Sequence, residues 1–239
     1  GNAALGAARK MKDQILAVAS KALSEEKEYL DLKGGQIFSV RNSEKTISLT
    51  KILRTAHYSS GGTMFMSEFF YDPPNENFDK DFKGNLSVSY AYGTHGAEVD
   101  VDRETGQVRI LRYIAAHDVG KAINPMMLEG QIYGGGLMGI GYALGETMVY
   151  DKGHLKNGNF LDYKVLTAMD VPPVEAVIVE TDEQDGPFGA KGIGEPGLVP
   201  TAPALANAIY DAVGVRIKDL PITPEKILRA LREKDRKET

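Results

Sequence analysis

The sequence predicts an α+β fold, with twisted, largely antiparallel or mixed sheets and helices packed on one side. Two observations carry that reading. Residues 86–116 alternate apolar and polar side chains about a tight polar turn, a hairpin signature. Residues 2–23 and 202–213 instead place apolar side chains three and four apart, which is helix periodicity with one face to bury. Two subdomains are expected, 1–122 with the long ribbon and 123–239 with a glycine-rich helix and a glycine-rich loop.

In chain order, Leu5, Ala8, Met11, Ile15, Ala19 and Ala22 define the first amphipathic helix. Gln36 to Val40 reads as a short strand after Gly34-Gly35. Thr46 to His57 reads as a helix with Leu49, Ile52, Leu53 and Ala56 inward. Thr63 to Tyr71 has strand character, its Met and Phe stripe reading as core. Asp72-Pro73-Pro74-Asn75 then stops the pattern. Leu86 to Asp102 and Val108 to Ala116 form the ribbon; His95 and His117 sit on it near glycines and read as structural histidines, since they belong to no close-spaced ligand set.

Asn124-Pro125 supplies an N-cap and a first helical residue for a helix from Met126 to Leu144. That helix carries Gly130, Gly134, Gly135, Gly136, Gly139 and Gly141, each costing about 0.5–1 kcal/mol against alanine. Close approach of another backbone or a ligand must compensate. Met148–Asp151 and Val174–Glu180 read as strands and Val215–Lys218 as a short one. Ala202–Val213, with Thr201 as N-cap, and a run from Pro224 to Leu231 read as helices, before a charged, frayed tail.

The length of 239 residues suits one or two domains, and 42% hydrophobic with 26% charged residues suits a soluble globular chain. A net charge of -5 gives no footprint for nucleic acid or an anionic membrane. With no cysteine, disulfides and cysteine-held zinc or iron–sulfur clusters are excluded from this chain. No apolar run reaches the length of a membrane span, and a cytoplasmic location is expected. The start at Gly1, directly in a helical pattern, suggests an excised or processed piece.

The chemistry concentrates in Gly186-Pro187-Phe188-Gly189-Ala190-Lys191-Gly192-Ile193-Gly194-Glu195-Pro196-Gly197. Its glycines let backbone approach a ligand, Pro196 holds Glu195 extended, and a helix start comes next. From this stretch alone, a ligand site and an ordinary strand-to-helix loop with a solvated glutamate both stand. A phosphate loop of the Gly-x-x-x-x-Gly-Lys-Ser/Thr type is excluded, because no such pattern occurs.

Three ordered blocks narrow the choice: Gly96-Ala97-Glu98-Val99-Asp100-Val101-Asp102 to Gly106, Asp118-Val119-Gly120 to Gly130-Gln131-Ile132-Tyr133-Gly134-Gly135, and Ala190-Lys191-Gly192-Ile193-Gly194-Glu195-Pro196. Together they resemble the C-terminal part of the molybdenum-binding subunit of the xanthine dehydrogenase/aldehyde oxidase family, from Gly1 nearly to the C-terminus. The resemblance implies a molybdopterin-binding α+β domain of that type. It implies Glu195 as the catalytic base that takes a proton from a molybdenum-held hydroxyl while that oxygen attacks an electron-poor carbon. It also implies Gln131, Ala190, Lys191, Gly192, Ile193 and Gly194 as cofactor contacts, with no side-chain metal ligand.

The implied cofactor is molybdenum–molybdopterin, in the cytosine dinucleotide form by expectation, with iron–sulfur clusters and FAD only on partner subunits. The implied partners are the N-terminal molybdenum-binding region or large subunit, an iron–sulfur subunit and an FAD subunit, besides a small-molecule substrate. Alone, the chain is expected to be incomplete and inactive. The competing reading is a non-catalytic assembly or scaffold domain that keeps the fold; Glu195 inside an intact glycine loop argues against it.

Overall fold

A computed structural model describes residues 1–59, 61, 62 and 64–238. The chain divides into two compact units, Gly1–Leu86 and Ser87–Thr239. The division expected at 122/123 falls inside the second unit, where the ribbon shares one sheet and one core with the later strand and helices.

The first unit starts with helix α1 (Asn2–Leu23). Strands β1 (Leu30–Lys33), β2 (Gln36–Ser39) and β3 (Thr46–Ser48) then form an antiparallel sheet in that order, before helix α2 (Leu49–Ser59). Ile15, Leu16 and Ala19 of α1 bury against Leu30, Ile37 and Ile52. Sequence periodicity over-extended the second helix at its start. Thr46 and Ile47 are β-branched and pair with Phe38 and Ile37, so they leave the helix for the sheet. Leu53, expected inward, is partly exposed, while Ile52 and Ala56 are buried.

The stretch expected as a strand from Thr63 to Tyr71 is irregular over 64–71, and Thr63 lies outside the described residues. Its stripe is not core: Met64, Met66 and Phe70 are each more than 80% exposed, and only Phe65 packs on the unit's interior. Without a hydrogen-bonded neighbour strand, β-propensity alone does not make a strand.

The second unit is built on β4 (Gly93–Val101), β5 (Val108–Asp118) and β8 (Val174–Val179). β4 and β5 form the expected antiparallel hairpin, with a register shift at Glu98/Val99, and β8 joins β5 in parallel. The sheet is therefore mixed. The ribbon is shorter than its alternation suggested: residues 86–92 lie outside the strand, although the Asp118 N–H still donates to the Tyr92 carbonyl at 3.0 Å. Between β5 and β8 come helix α3 (Pro125–Leu144) and a small hairpin, β6 (Tyr150–Asp151) and β7 (His154–Leu155).

Helices α4 (Thr201–Val213) and α5 (Pro224–Glu238) complete the unit. Tyr113 and Ala115, two apart on β5, point to one face and bury against Ile132, Ile140 and Ala143 of α3 and Leu205 of α4. Ile209, Val213, Val215, Ile222, Ile227 and Leu231 form a second cluster between α4 and α5. Residues 215–218 are not a strand but carry Val215 into that cluster. The tail expected to fray continues as α5 to Glu238. Among the described residues no helix is long and apolar enough to cross a membrane.

Candidate functional site

The glycines of α3 fall into two groups, and that division locates the site. A side chain at Gly135 would meet the backbone of Gly197 and Leu198 at 2.8–3.1 Å, and Gly136 and Gly139 face Tyr113 and Thr201. These positions are empty because protein fills them. A Cβ added at Gly130 or Gly134 would meet nothing within 4 Å outside its own stretch of helix backbone. That face of the helix is bare, and Gln131 stands on it.

The Asn124 side chain caps α3 by accepting from the Met127 N–H at 3.2 Å, with Pro125 at the first turn, as the sequence indicated. Seven residues on, the Gln131 side-chain amide donates to the Gly194 carbonyl at 2.6 Å. This bond ties the bare helix face to the glycine loop and stands between two concavities. One, of about 390 Å³, is lined by Asn124, Met127, Gln131, Lys191, Ile193 and Gly194 among others. The second, of about 540 Å³, is lined by Gln131, Gly134, Gly135, Met138, Gly194, Glu195, Leu198 and Val199. Glu195 is exposed on this second side, and among the described residues its carboxylate makes no hydrogen bond or ion pair.

The loop is held from behind by Lys191. Its ammonium is almost fully buried, 2.7 Å from Asp118 Oδ2, 3.8 Å from Glu183 and 2.9 Å from the Tyr90 carbonyl to which it donates. Burial alone would raise the Asp118 carboxyl. Hydrogen bonds from Lys191, the Gly120 N–H and the Thr181 hydroxyl outweigh it and hold the group below the usual carboxylate range. The Lys191 N–H donates to the Val119 carbonyl at 2.8 Å, and Ala190 bridges to Gly120. Gly120 has φ +64, and a Cβ there would run into the Gly189 carbonyl oxygen, so only glycine fits the crossing.

The expected site residues share one loop and one helix face, with Gln131, Ala190, Lys191, Ile193 and Gly194 all lining the first concavity. Gln131, Ile193, Gly194 and Glu195 come together, with Gly192 in the same bare loop; no side chain or backbone lies within 4 Å of where a Cβ would stand on Gly192 or Gly194. Among the described residues the N–H groups of Gly192, Ile193 and Gly194 make no backbone hydrogen bond. Ala190 and Lys191 differ: their N–H groups are spent within the fold, and the Lys191 amine faces inward, drawn by a buried carboxylate that sequence spacing does not reveal. Asp118 and Glu183 were missed as supports for the same reason. Removing the amine as Lys191→Met leaves Asp118 buried without its cation, at a cost of about 3–5 kcal/mol. The check is a large drop in melting temperature of the assembled protein; an unchanged value would contradict the clamp.

His95 and His117 lie together, Nε2 to Nε2 at 2.7 Å, and His95 Nδ1 bonds the Tyr113 hydroxyl. Thr201, expected as an N-cap, is buried inside the first turn of α4 and accepts from Tyr113 at 2.8 Å; Pro200 holds the cap position. Burial, and secondly the neighbouring His117, pull His95 from 6.5 down to about 4; burial lowers His117 too and pushes Tyr113 up to about 12. A histidine lowered on folding stabilises fully above its ordinary value near 6.5, and that stability is lost as pH falls toward 4. Melting temperature should fall across this window, and less steeply in His95→Gln. Equal slopes for the two proteins would contradict the assignment.

What these residues offer is backbone N–H groups, a side-chain amide and one carboxylate beside bare glycine surface. Such a set suits a large polar ligand bound by its edges, with a base beside it, and not direct ligation of a metal by side chains. Gly130, Gly134, Gly192 and Gly194 leave open surface beside these groups.

Residues 1–172 match the family model of the molybdopterin cofactor-binding domain, and the chain belongs to that family. It is 34% identical over 231 residues to 6-hydroxypseudooxynicotine dehydrogenase complex subunit gamma of Paenarthrobacter nicotinovorans, covering 95% of this chain and 28% of that one. It is 35% identical over 226 residues to the putative xanthine dehydrogenase molybdenum-binding subunit XdhA of Escherichia coli (strain K12), covering 92% and 28%. The structure superposes on quinoline 2-oxidoreductase from Pseudomonas putida 86 with a TM-score of 0.77 and 29% identity, over 95% of this chain and 28% of that chain. The chain thus spans just over a quarter of these relatives.

Proposed function

We propose that this chain is the cofactor-facing C-terminal part of a molybdenum hydroxylase that hydroxylates an electron-poor carbon with oxygen from water. The observation that carries the reading is the meeting of Gln131, Ile193, Gly194 and Glu195 around two adjoining concavities. A bound molybdenum–molybdopterin supplies the Lewis acid that acidifies water and the two-electron acceptor.

The chain's own residues do the rest. The Gln131 amide and the N–H groups of Gly192, Ile193 and Gly194 hold and orient the cofactor's polar edge. Ala190 and Lys191, whose own N–H groups are spent, set the height of that loop. Glu195, followed by Pro196 and with its carbonyl accepting from the Leu198 N–H at 3.0 Å, presents a carboxylate that takes one proton as the carbon–oxygen bond forms. The cofactor is proposed to take its cytosine dinucleotide form. The remaining contacts and the iron–sulfur and FAD groups belong to the rest of the subunit and to partner subunits, in the cytoplasm.

The reaction class is tested by turnover of the assembled complex in 18O-water, using aldehydes, purines and N-heterocycles as probes with a dye as electron acceptor. Label in the product is expected. Product oxygen drawn from O2 instead would overturn the reading.

A further inference from the structure

The His95–His117 pair is one end of a longer row. From Tyr113 the row passes to Thr201, whose Oγ1 lies 3.5 Å from the Gly197 carbonyl, two residues beyond Glu195. Backbone bonds close the distance: Thr201 N–H donates to Leu198 at 3.2 Å, and Leu198 N–H to Glu195 at 3.0 Å.

The row has one favoured direction. His117 Nδ1 is sealed from solvent and has no partner among the described residues. A buried, unpaired N–H is costlier than a buried lone pair, so the proton belongs on His117 Nε2. Nε2 then donates to His95 Nε2, which puts the His95 proton on Nδ1, donating to Tyr113. Tyr113 donates to Thr201, and Thr201 to the Gly197 carbonyl. The tautomers are assigned from this network of partners. Reversing the row would strand an N–H at His117 and leave the Gly197 carbonyl without its hydroxyl.

Space has been cleared for three of the four members. A Cβ on Gly93 would stand 2.6 Å from His117 Cε1, one on Gly136 would stand 3.2 Å from Tyr113 Cε1, and one on Gly139 would clash with the Thr201 side chain. Three glycines from two elements thus admit a polar row into an apolar core. Such a row costs more than apolar packing unless every link is made, so its links need a return beyond cohesion.

We propose that His117, His95, Tyr113 and Thr201 are positioning residues for Glu195, their head-to-tail hydrogen bonds anchoring the Glu195–Gly197 turn to the β4–β5 ribbon. The catalytic meaning of this anchor rests on Glu195 being the base; the anchor itself does not. Both histidines are held neutral at pH 7, as the row requires.

The test is hydrogen–deuterium exchange of the assembled complex, read peptide by peptide. In Tyr113→Phe the segment 192–200 should exchange about three- to tenfold faster, with α5 unchanged, because one buried link is lost locally. Thr201→Val should do the same, and Thr201→Ser, which keeps the hydroxyl, should restore the wild-type rate. In active complex, kcat should fall with KM unchanged. Wild-type exchange of 192–200 in Tyr113→Phe and Thr201→Val, or equal loosening of α5, would overturn the proposal. Complex lacking molybdenum gives the same exchange result, so a failure of the hydroxylase reading is separable from a failure of the anchor.

Discussion

Glu195→Gln in the assembled enzyme lowers kcat by about 10²–10⁴ with molybdenum and pterin content unchanged, as loss of a general base demands. The two side chains have the same shape, and the amide cannot take up the proton. Structural damage is not expected, because the carboxylate is exposed on the rim of its concavity and makes no hydrogen bond or ion pair among the described residues. Its backbone stays fixed by Pro196 and by the Leu198 N–H. A near-normal kcat would remove Glu195 from the chemistry.

Gly135→Val fails in the opposite way, through structure. Its Cβ would sit 2.8 Å from the Gly197 carbonyl carbon and 3.0–3.1 Å from Gly197 Cα and the Leu198 nitrogen. These are backbone atoms, so no rotamer change relieves the overlap, and either α3 or the Glu195 turn must move. Overpacking of this kind costs about 1–3 kcal/mol, and displacing the loop separates Gln131 from Gly194. A lower melting temperature together with reduced cofactor content is expected. Full occupancy and unchanged stability would show that the helix–loop contact tolerates a side chain.

The elements legible in the sequence were those whose pattern is local. Periodicity gave α1 its full span, the alternation of 86–102 and 108–116 gave the hairpin though its strands run 93–101 and 108–118, and Asn124-Pro125 gave the start of α3. The glycine load of α3 signalled close approach, but only the fold tells which glycines face protein and which face open space. What stayed hidden depends on distant pairing. Thr46 and Ile47 join a sheet because β2 is there, and residues 64–71 are irregular for want of such a neighbour. Lys191 is the sharpest case: its position in the motif suggested a ligand contact, yet Asp118, 73 residues earlier, turns its amine inward. Glu195 and Gln131 are marked in the sequence by motif and order, and the hydrogen bond from Gln131 to Gly194 brings their elements together.

The central claim is that this chain forms one wall of a molybdopterin site. Molybdenum analysis, with pterin fluorescence after oxidation, on the complex purified with its neighbouring-gene products tests it most directly. The account predicts stoichiometric molybdenum and pterin. A stable complex holding neither, from a host whose known molybdenum enzymes are loaded, would contradict it.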